Sequence, residues 1–138
     1  MAKKWVIDCS AMASVMLMET EGRETDDLLE QALADRIHIS VPSLFWYEIG
    51  NVLATAVRKK RLEISQARDA LARLCELPID NDAADGAAVH RRILDLALMH
   101  DLSFYDAAYV ELADRIGASL KTLDKAILRL SSHYKWIH

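Results

Sequence analysis

The chain has few of the residues that break or cross-link a fold: two cysteines, two prolines and four glycines among 138 residues. Two cysteines exclude a disulfide scaffold, and the spacing of Cys9 and Cys75 is not that of a zinc site. We interpret both as small buried hydrophobes in a reducing cytoplasm. Neither a linker nor an internal repeat is visible, so we expect one domain over residues 1–138.

Long apolar runs and a strong excess of one charge are also missing. The longest apolar segments fall well short of the roughly 20 residues that cross a bilayer, and Asp8 interrupts the first of them after Ile7. With 17 basic and 21 acidic side chains the net charge is −4, and 52% of the residues are apolar. This composition excludes a disordered or collagen-like chain. We expect a soluble, cytoplasmic protein that does not bind nucleic acid strongly by charge alone.

Short β-rich runs alternate with amphipathic helical stretches along the chain. The predicted strands are 5–7, 36–41, 78–80, 119–123 and 134–137, and the predicted helices are 24–34, 44–60, 65–77, 83–99, 103–117 and 125–130. Ser43 is placed to cap the second helix, and Gly117 is placed to end the fifth. The alternation is typical of an α/β fold, with helices on both faces of a parallel sheet.

Four acidic residues fall at one edge of this predicted sheet, where the strands of open parallel sheets end in a functional crevice. Asp8 directly follows the first strand, and Asp124 follows strand 119–123. Glu48 lies about five residues into the helix after the second strand, roughly 7 Å above the same edge. Asp106 is in the first turn of the helix that feeds strand 119–123, and such a crossover helix begins at this edge. Helical phase places Glu48 and Asp106 beside apolar neighbours.

This set of acids is a candidate metal site. Carboxylates that converge without lysine or arginine partners repel one another unless a hard divalent cation neutralises them. Ligation by oxygen alone favours Mg²⁺ or Mn²⁺. Such an ion binds phosphate oxygens, lowers the pKa of an attacking water and stabilises the leaving oxygen. The residues therefore predict metal-assisted hydrolysis of a phosphodiester bond.

Four segments in this order resemble the PIN-domain nucleases, and the length and acidic spacing are most like the VapC toxins of toxin–antitoxin pairs. The segments are Val6-Ile7-Asp8-Cys9-Ser10, Pro42-Ser43-Leu44 through Glu48, Ser103-Phe104-Tyr105-Asp106-Ala107-Ala108-Tyr109, and Thr122-Leu123-Asp124. The resemblance spans nearly the whole chain. It implies a three-layer α/β/α sandwich with a central, mainly parallel five-stranded sheet, and an endoribonuclease dependent on Mg²⁺ or Mn²⁺ that leaves 5′-phosphate and 3′-hydroxyl ends. It also implies a homodimer, with an interface that we assign to region 44–77, and a cognate VapB-like antitoxin whose C-terminal segment lies in the active-site groove.

The resemblance also implies a role for individual residues. The catalytic metal ligands would be Asp8, Glu48, Asp106 and Asp124. Asp8 would be the least replaceable of them. Ser10 and Thr122 match small hydroxyl positions that hold a metal-bound water or a carboxylate. Cys9 stands where many relatives carry threonine, which leaves the acidic set intact, and nothing in the sequence turns the nearby Asp101 inward.

Each of these acids also has a structural alternative. Ser103 and Asp106 have the spacing of a capping box, and Asp124 is placed to cap the helix that follows it. Glu48 has the alternative of a surface residue that reaches solvent. An acid that ends a buried strand is costly unless it is bound, so the structural alternative is weakest for Asp8.

Other polar and aromatic residues favour structural interpretations. The basic run 58–61 is typical of a solvated helix end. Three histidines lack the spacing of metal ligands: His90, His100 and His133. Trp46 and Tyr47 are placed to stack on a base, but packing in the core or in a dimer is the favoured interpretation.

Two other classes of function fit part of the pattern. A phosphatase of the haloacid dehalogenase type also has an acid after its first strand, but it needs a second aspartate where this chain has Ser10. No convincing lysine motif follows downstream. A PIN-like binding module without turnover is the non-enzymatic alternative, and the complete acid set argues against it.

Overall fold

The computed structural model describes residues 1–138 as a sheet flanked by helices. The strands are β1 (Lys3–Ile7), β2 (Ile37–Val41), β3 (Ile79–Asn81) and β4 (Ser119–Lys121). The helices are α1 (Cys9–Met16), α2 (Arg23–Leu33), α3 (Leu44–Arg58), α4 (Ile64–Glu76), α5 (Ala87–His100), α6 (Phe104–Ile116) and α7 (Lys125–Leu128). Two 3₁₀ turns cover Thr20–Gly22 and Arg129–Ser132. None of the helices combines the length and apolar character of a membrane span.

The four strands are parallel and lie in the order β3-β2-β1-β4. The chain adds strands outward from β1 to β3 and then returns to the other side of β1 for β4. The strand order therefore reverses between β1 and β4, and such a switch point opens a crevice at the carboxyl ends of the strands. Asp8 follows β1 and Asp124 follows the segment after β4, so the fold places both acids at this crevice.

The predicted fold class is confirmed, with a minor difference at one edge of the sheet. The fifth strand expected at 134–137 is a single parallel bridge between Leu120 and Ile137. The amide of Leu120 donates to the carbonyl of Trp136 (2.8 Å), and the amide of His138 donates to the carbonyl of Leu120 (2.8 Å). The 3₁₀ turn Arg129–Ser132 occupies the preceding residues, so only the last part of the chain reaches β4.

The central strands are continuous apolar runs because both of their faces are buried in the core. Neighbouring side chains of a strand point to opposite faces, yet Val6 and Ile7 are both fully buried. Helices therefore cover both faces of the sheet at β1, as in other parallel sheets. Ile39, Val41 and Leu120 are fully buried on the flanking strands.

Several local expectations were wrong. The helix predicted from residue 83 begins at Ala87, because Gly86 has a φ of +105° that an α-helix does not accept. Helix α1 was not predicted, since its residues are almost all apolar or small and show no amphipathic period. Ser43 precedes α3 but makes no capping hydrogen bond through its side chain.

The environments of the two cysteines also differ from the expectation of burial. Cys9 is half-buried, whereas Cys75 is exposed. Helix α4 buries only Ala70 and Leu74, and one residue further along a helix points about 100° away. Cys75 therefore lies off the buried stripe of α4.

Candidate active site

Asp8 lies at the junction of β1 and α1 and is 3% exposed. Its Oδ1 accepts hydrogen bonds from the Ser10 hydroxyl (2.7 Å) and from the Ala11 amide (2.9 Å), the latter as the N-cap of α1. Its Oδ2 accepts a hydrogen bond from the Thr122 hydroxyl (2.5 Å). Both carboxylate oxygens are thus held by the protein, so Asp8 has one defined orientation.

The two hydroxyl groups that hold Asp8 are themselves anchored to the segment after β4. The Ser10 hydroxyl oxygen accepts a hydrogen bond from the Leu123 amide (2.9 Å), and the Thr122 hydroxyl oxygen accepts one from the Asp124 amide (2.9 Å). The sequence suggested that Ser10 and Thr122 hold a carboxylate or a metal-bound water. Here they bind the Asp8 carboxylate and join it to the backbone that carries Asp124.

Glu48 is positioned by a contact that the sequence analysis missed. The Tyr109 hydroxyl donates to Glu48 Oε1 (2.6 Å), and Tyr109 is only 1% exposed. Tyr109 lies on α6, three residues after Asp106, a spacing that places two side chains on one face of a helix. That spacing was the available signal, although nothing in the sequence indicated that the partner would be Glu48 on α3.

Helix capping was the structural alternative for both Asp106 and Asp124, and the structure shows it only for Asp124. Ser103, not Asp106, caps α6: its hydroxyl oxygen accepts from the Asp106 amide (3.0 Å). Asp124 does cap α7, because its Oδ1 accepts from the amides of Ala126 (2.9 Å) and Ile127 (3.2 Å). This cap uses one oxygen of Asp124. Its Oδ2 receives no hydrogen bond from the protein.

Burial, and then a neighbouring carboxylate, raise the pKa values of three of these acids, Asp8, Glu48 and Asp106. Burial raises the pKa of Asp8 to about 6, the hydrogen bonds from Ser10, Thr122 and the Ala11 amide oppose this rise, and Asp124 adds to it. Burial and then Asp124 raise the pKa of Asp106, against a hydrogen bond from Ser103. Burial raises the pKa of Glu48, Tyr109 lowers it, and Asp106 raises it. The structure therefore brings the negative charges into electrostatic contact.

No cationic side chain compensates these four acids. None of them takes part in a salt bridge. The buried Glu111, by contrast, is paired with Arg92 (3.2 Å) and Arg115 (2.9 Å), and Asp82 is paired with Arg115 (2.5 Å). The buried Glu111 and the half-buried Asp82 thus have an arginine partner, and the acids at the crevice do not.

The donor set fits a hard divalent cation in chemistry: carboxylate and hydroxyl oxygens, negative charge without a counter-charge, and unbonded oxygens on Glu48, Asp106 and Asp124. As the side chains stand, no three acidic, histidine or cysteine residues are close enough to share one ion. Binding an ion to three of these acids therefore requires rotation of the less constrained side chains. Asp8 is fixed, so the movement falls to the other three.

The remaining candidates lie outside this set. Asp101 is exposed and ends α5 in a left-handed conformation, with a φ of +53°. The basic run 58–61 is exposed at the end of α3, as expected. His90 pairs with Asp85 (2.7 Å), and His100 hydrogen-bonds to Tyr134 (2.8 Å). Burial, followed by Glu48 and Asp8, raises the pKa of Cys9 to about 12, so its thiol stays protonated at neutral pH.

Replacing Thr122 with valine tests how firmly the hydroxyl holds Asp8. Valine has the shape of threonine but leaves Asp8 Oδ2 without its donor, and a hydrogen bond to a charged group contributes about 1.5–3 kcal/mol. We expect Thr122→Val to raise the pKa of Asp8 further, as followed by carboxyl ¹³C NMR titration. Thr122→Ser is the matched control and should retain the wild-type titration. An unchanged pKa of Asp8 in Thr122→Val would show that the hydroxyl does not stabilise the carboxylate.

Comparison with known proteins identifies the family of the chain. The family model for the PIN domain matches residues 6–132, a range that contains all four acids. Ribonuclease VapC3 of Pyrobaculum aerophilum is 33% identical over 124 residues, which cover 90% of this chain and 92% of that protein.

Solved structures share the same fold. The crystal structure of PAE2754 from Pyrobaculum aerophilum matches with a TM-score of 0.70 and 25% identity, over 94% of this chain and 80% of that chain. A chain of a toxin–antitoxin complex from Klebsiella pneumoniae matches with a TM-score of 0.63 and 17% identity, over 96% of this chain and 94% of that chain. The chain, with its acids at the carboxyl edge of a parallel sheet, belongs to the PIN domain family and is related to the VapC ribonucleases.

Proposed function

We propose that this chain is a divalent-metal-dependent endoribonuclease and the toxin of a type II toxin–antitoxin pair. The observation that carries the proposal is the set of four carboxylates without a cationic partner at the switch point of the sheet. Membership of the PIN family and the similarity to a VapC ribonuclease support the same activity. An acid directly after the first strand also fits a phosphatase of the haloacid dehalogenase type. Membership of the PIN family favours the nuclease over that phosphatase.

The proposed metal is Mg²⁺ or Mn²⁺, and the proposed ligands are Asp8, Glu48, Asp106 and Asp124. Held by these residues, such an ion would supply positive charge to the scissile phosphate and would lower the pKa of a water molecule. The raised pKa values of Asp8, Glu48 and Asp106 support this assignment, because a cation would relieve the repulsion that helps to raise them.

The other residues of the site orient these acids. Ser10, Thr122 and the Ala11 amide hold Asp8, and Tyr109 holds Glu48 by one oxygen. Hydrogen bonds of this kind around metal ligands fix their rotamers and contribute to metal affinity. Ser10 and Thr122 are therefore supporting residues, and we add Tyr109 to them.

The proposed partners are RNA, a VapB-like antitoxin and a second copy of the chain. A fold shared with a chain of a toxin–antitoxin complex supports the antitoxin partner. Exposed Ile64 and Leu71 on α4 lie in the region assigned to the homodimer interface. We further propose that residues 1–138 act as one nuclease domain, since the family match runs through 6–132.

Cleavage of total cellular RNA tests the proposed activity. We expect purified, antitoxin-free protein to make discrete cuts in the presence of Mg²⁺ or Mn²⁺, with 5′-phosphate ends, and EDTA to stop them. Release of phosphate from small monoesters, measured in parallel, should be absent. A folded, metal-loaded protein that makes no cuts in RNA would instead be the binding module without turnover.

A further inference from the structure

A cavity of about 590 Å³ opens at the same edge of the sheet as the four carboxylates. Its walls come from the segments that follow β2 and β3, from the first turn of α3, and from one face each of α5 and α6. Two wall residues are chain neighbours of proposed ligands: Tyr47 precedes Glu48, and Tyr105 precedes Asp106. The wall of the cavity is therefore continuous along the chain with two of the proposed ligands.

Three aromatic side chains in the wall of the cavity are exposed. Tyr47 is 80% exposed, Tyr105 is 62% exposed and Phe104 is 43% exposed. None of them stacks on another aromatic ring. Trp46 does pack as expected, edge-on against Phe45 at 5.2 Å. Tyr47 does not enter the core of its own chain, and its ring lies exposed in the first turn of α3, at one end of the region assigned to the homodimer interface.

The charges of the cavity favour an uncharged ligand over a phosphate. No lysine or arginine lines it. Each carboxylate in its wall already has a partner: Asp82 binds Arg115, Glu111 binds Arg92 and Arg115, and Asp85 binds His90. The pair of Asp82 with Arg115 also ties the segment after β3 to α6, so the cavity is formed before any ligand arrives.

We propose that this cavity binds an unstacked nucleobase of the RNA substrate, next to the phosphate that the acids act on. Tyr47 and Tyr105 stack on the base and make binding depend on an unpaired nucleotide, as aromatic residues do in proteins that bind single strands. The proposal rests on the proposed endoribonuclease function, because the occupant is the substrate of the neighbouring acids.

Binding of short RNA oligomers distinguishes recognition of a base from electrostatic binding of the RNA backbone. The probes are a fluorescein-labelled oligo(A) and an oligomer of the same length with abasic ribose phosphates, measured by anisotropy with the Asp8→Asn protein in Mg²⁺. We expect oligo(A) to bind more tightly. Tyr47→Ala and Tyr105→Ala should each weaken oligo(A) binding about 5- to 150-fold and leave the abasic oligomer unchanged.

Matched variants test whether the ring itself is needed and whether loss of any exposed apolar side chain has the same effect. Tyr47→Phe and Tyr105→Phe keep a ring and should retain binding. Leu98→Ala removes an exposed apolar side chain outside the cavity and should have no effect. In the cleavage assay, Tyr47→Ala in the otherwise wild-type chain should raise KM with little change in kcat, because the contact is made equally before and during reaction.

Three results would overturn the proposal: equal or absent binding of the two oligomers, unchanged binding in both alanine variants, or dissociation of a dimer by Tyr47→Ala in sedimentation. The last would make the cavity an interface between copies of the chain. Failure of the base site and failure of the proposed nuclease function give different results. If the wild type cuts RNA but Tyr47→Ala has the same KM, only the base site is contradicted. If the protein binds oligo(A) more tightly than the abasic oligomer but the wild type makes no cuts in RNA, only the nuclease function is contradicted.

Discussion

Asp8→Asn should abolish RNA cleavage and leave the fold intact. Asparagine keeps the shape of the side chain and the acceptor for the Ser10 hydroxyl and the Ala11 amide, but it removes the charge that a cation needs. Loss of a residue that only orients a ligand costs about 10- to 100-fold. Because Asp8 is a proposed ligand itself, we expect a loss of at least about 100-fold, measured as initial rates of RNA cleavage in saturating Mg²⁺.

Asp101→Asn is the matched control for this variant. It makes the same chemical change at an exposed aspartate that ends α5 and is not among the coupled acids. It should cleave RNA at the wild-type rate. Wild-type cleavage by a folded Asp8→Asn protein would remove Asp8 from the active site and with it the proposed metal set.

The second large effect is on stability, and it depends on pH. The pKa of Asp8 is about 6 in the folded protein and 3.8 in the unfolded reference. A raised carboxyl pKa means that the folded state binds the proton more tightly, so this contribution to stability is fully present below about pH 4 and is lost as pH rises through about 6. The loss amounts to about 3 kcal/mol for the metal-free protein at neutral pH.

Asp8→Asn should therefore stabilise the metal-free protein at pH 7 by up to about 3 kcal/mol, and by much less at pH 4. Urea denaturation in EDTA at both pH values measures this difference. Excess Mg²⁺ should raise the stability of the wild type at pH 7 and leave that of Asp8→Asn nearly unchanged, because only the native site binds the ion. A difference between the two proteins that is the same at both pH values would contradict the raised pKa of Asp8.

The parts of the site that the sequence predicted are those set by local pattern. A short apolar run ended by Asp8 predicts a buried strand with an acid at its carboxyl end, and β1 has this form. Asp106 in the first turn of α6 and Asp124 before α7 follow from helix starts. The topology of parallel sheets then places such ends at one edge.

The parts that were missed depend on contacts between residues far apart in the chain. The hydrogen bond from Tyr109 to Glu48 joins α6 to α3. Local pattern carries no information about that pairing. The same holds for the exposure of Tyr47, whose neighbour Trp46 is packed: adjacent aromatic residues on a helix point about 100° apart, and only the fold decides which is covered.

Diffraction from crystals soaked in MnCl₂, collected at a wavelength where manganese scatters anomalously, tests the central claim most directly. We expect an anomalous peak within ligand distance of Asp8 and of at least two of its partners Glu48, Asp106 and Asp124, with those side chains rotated toward it. The peak should be lost in Asp8→Asn crystals treated in the same way. Soaked wild-type crystals with no manganese at these carboxylates would contradict the proposal that the four acids form a metal-dependent nuclease site.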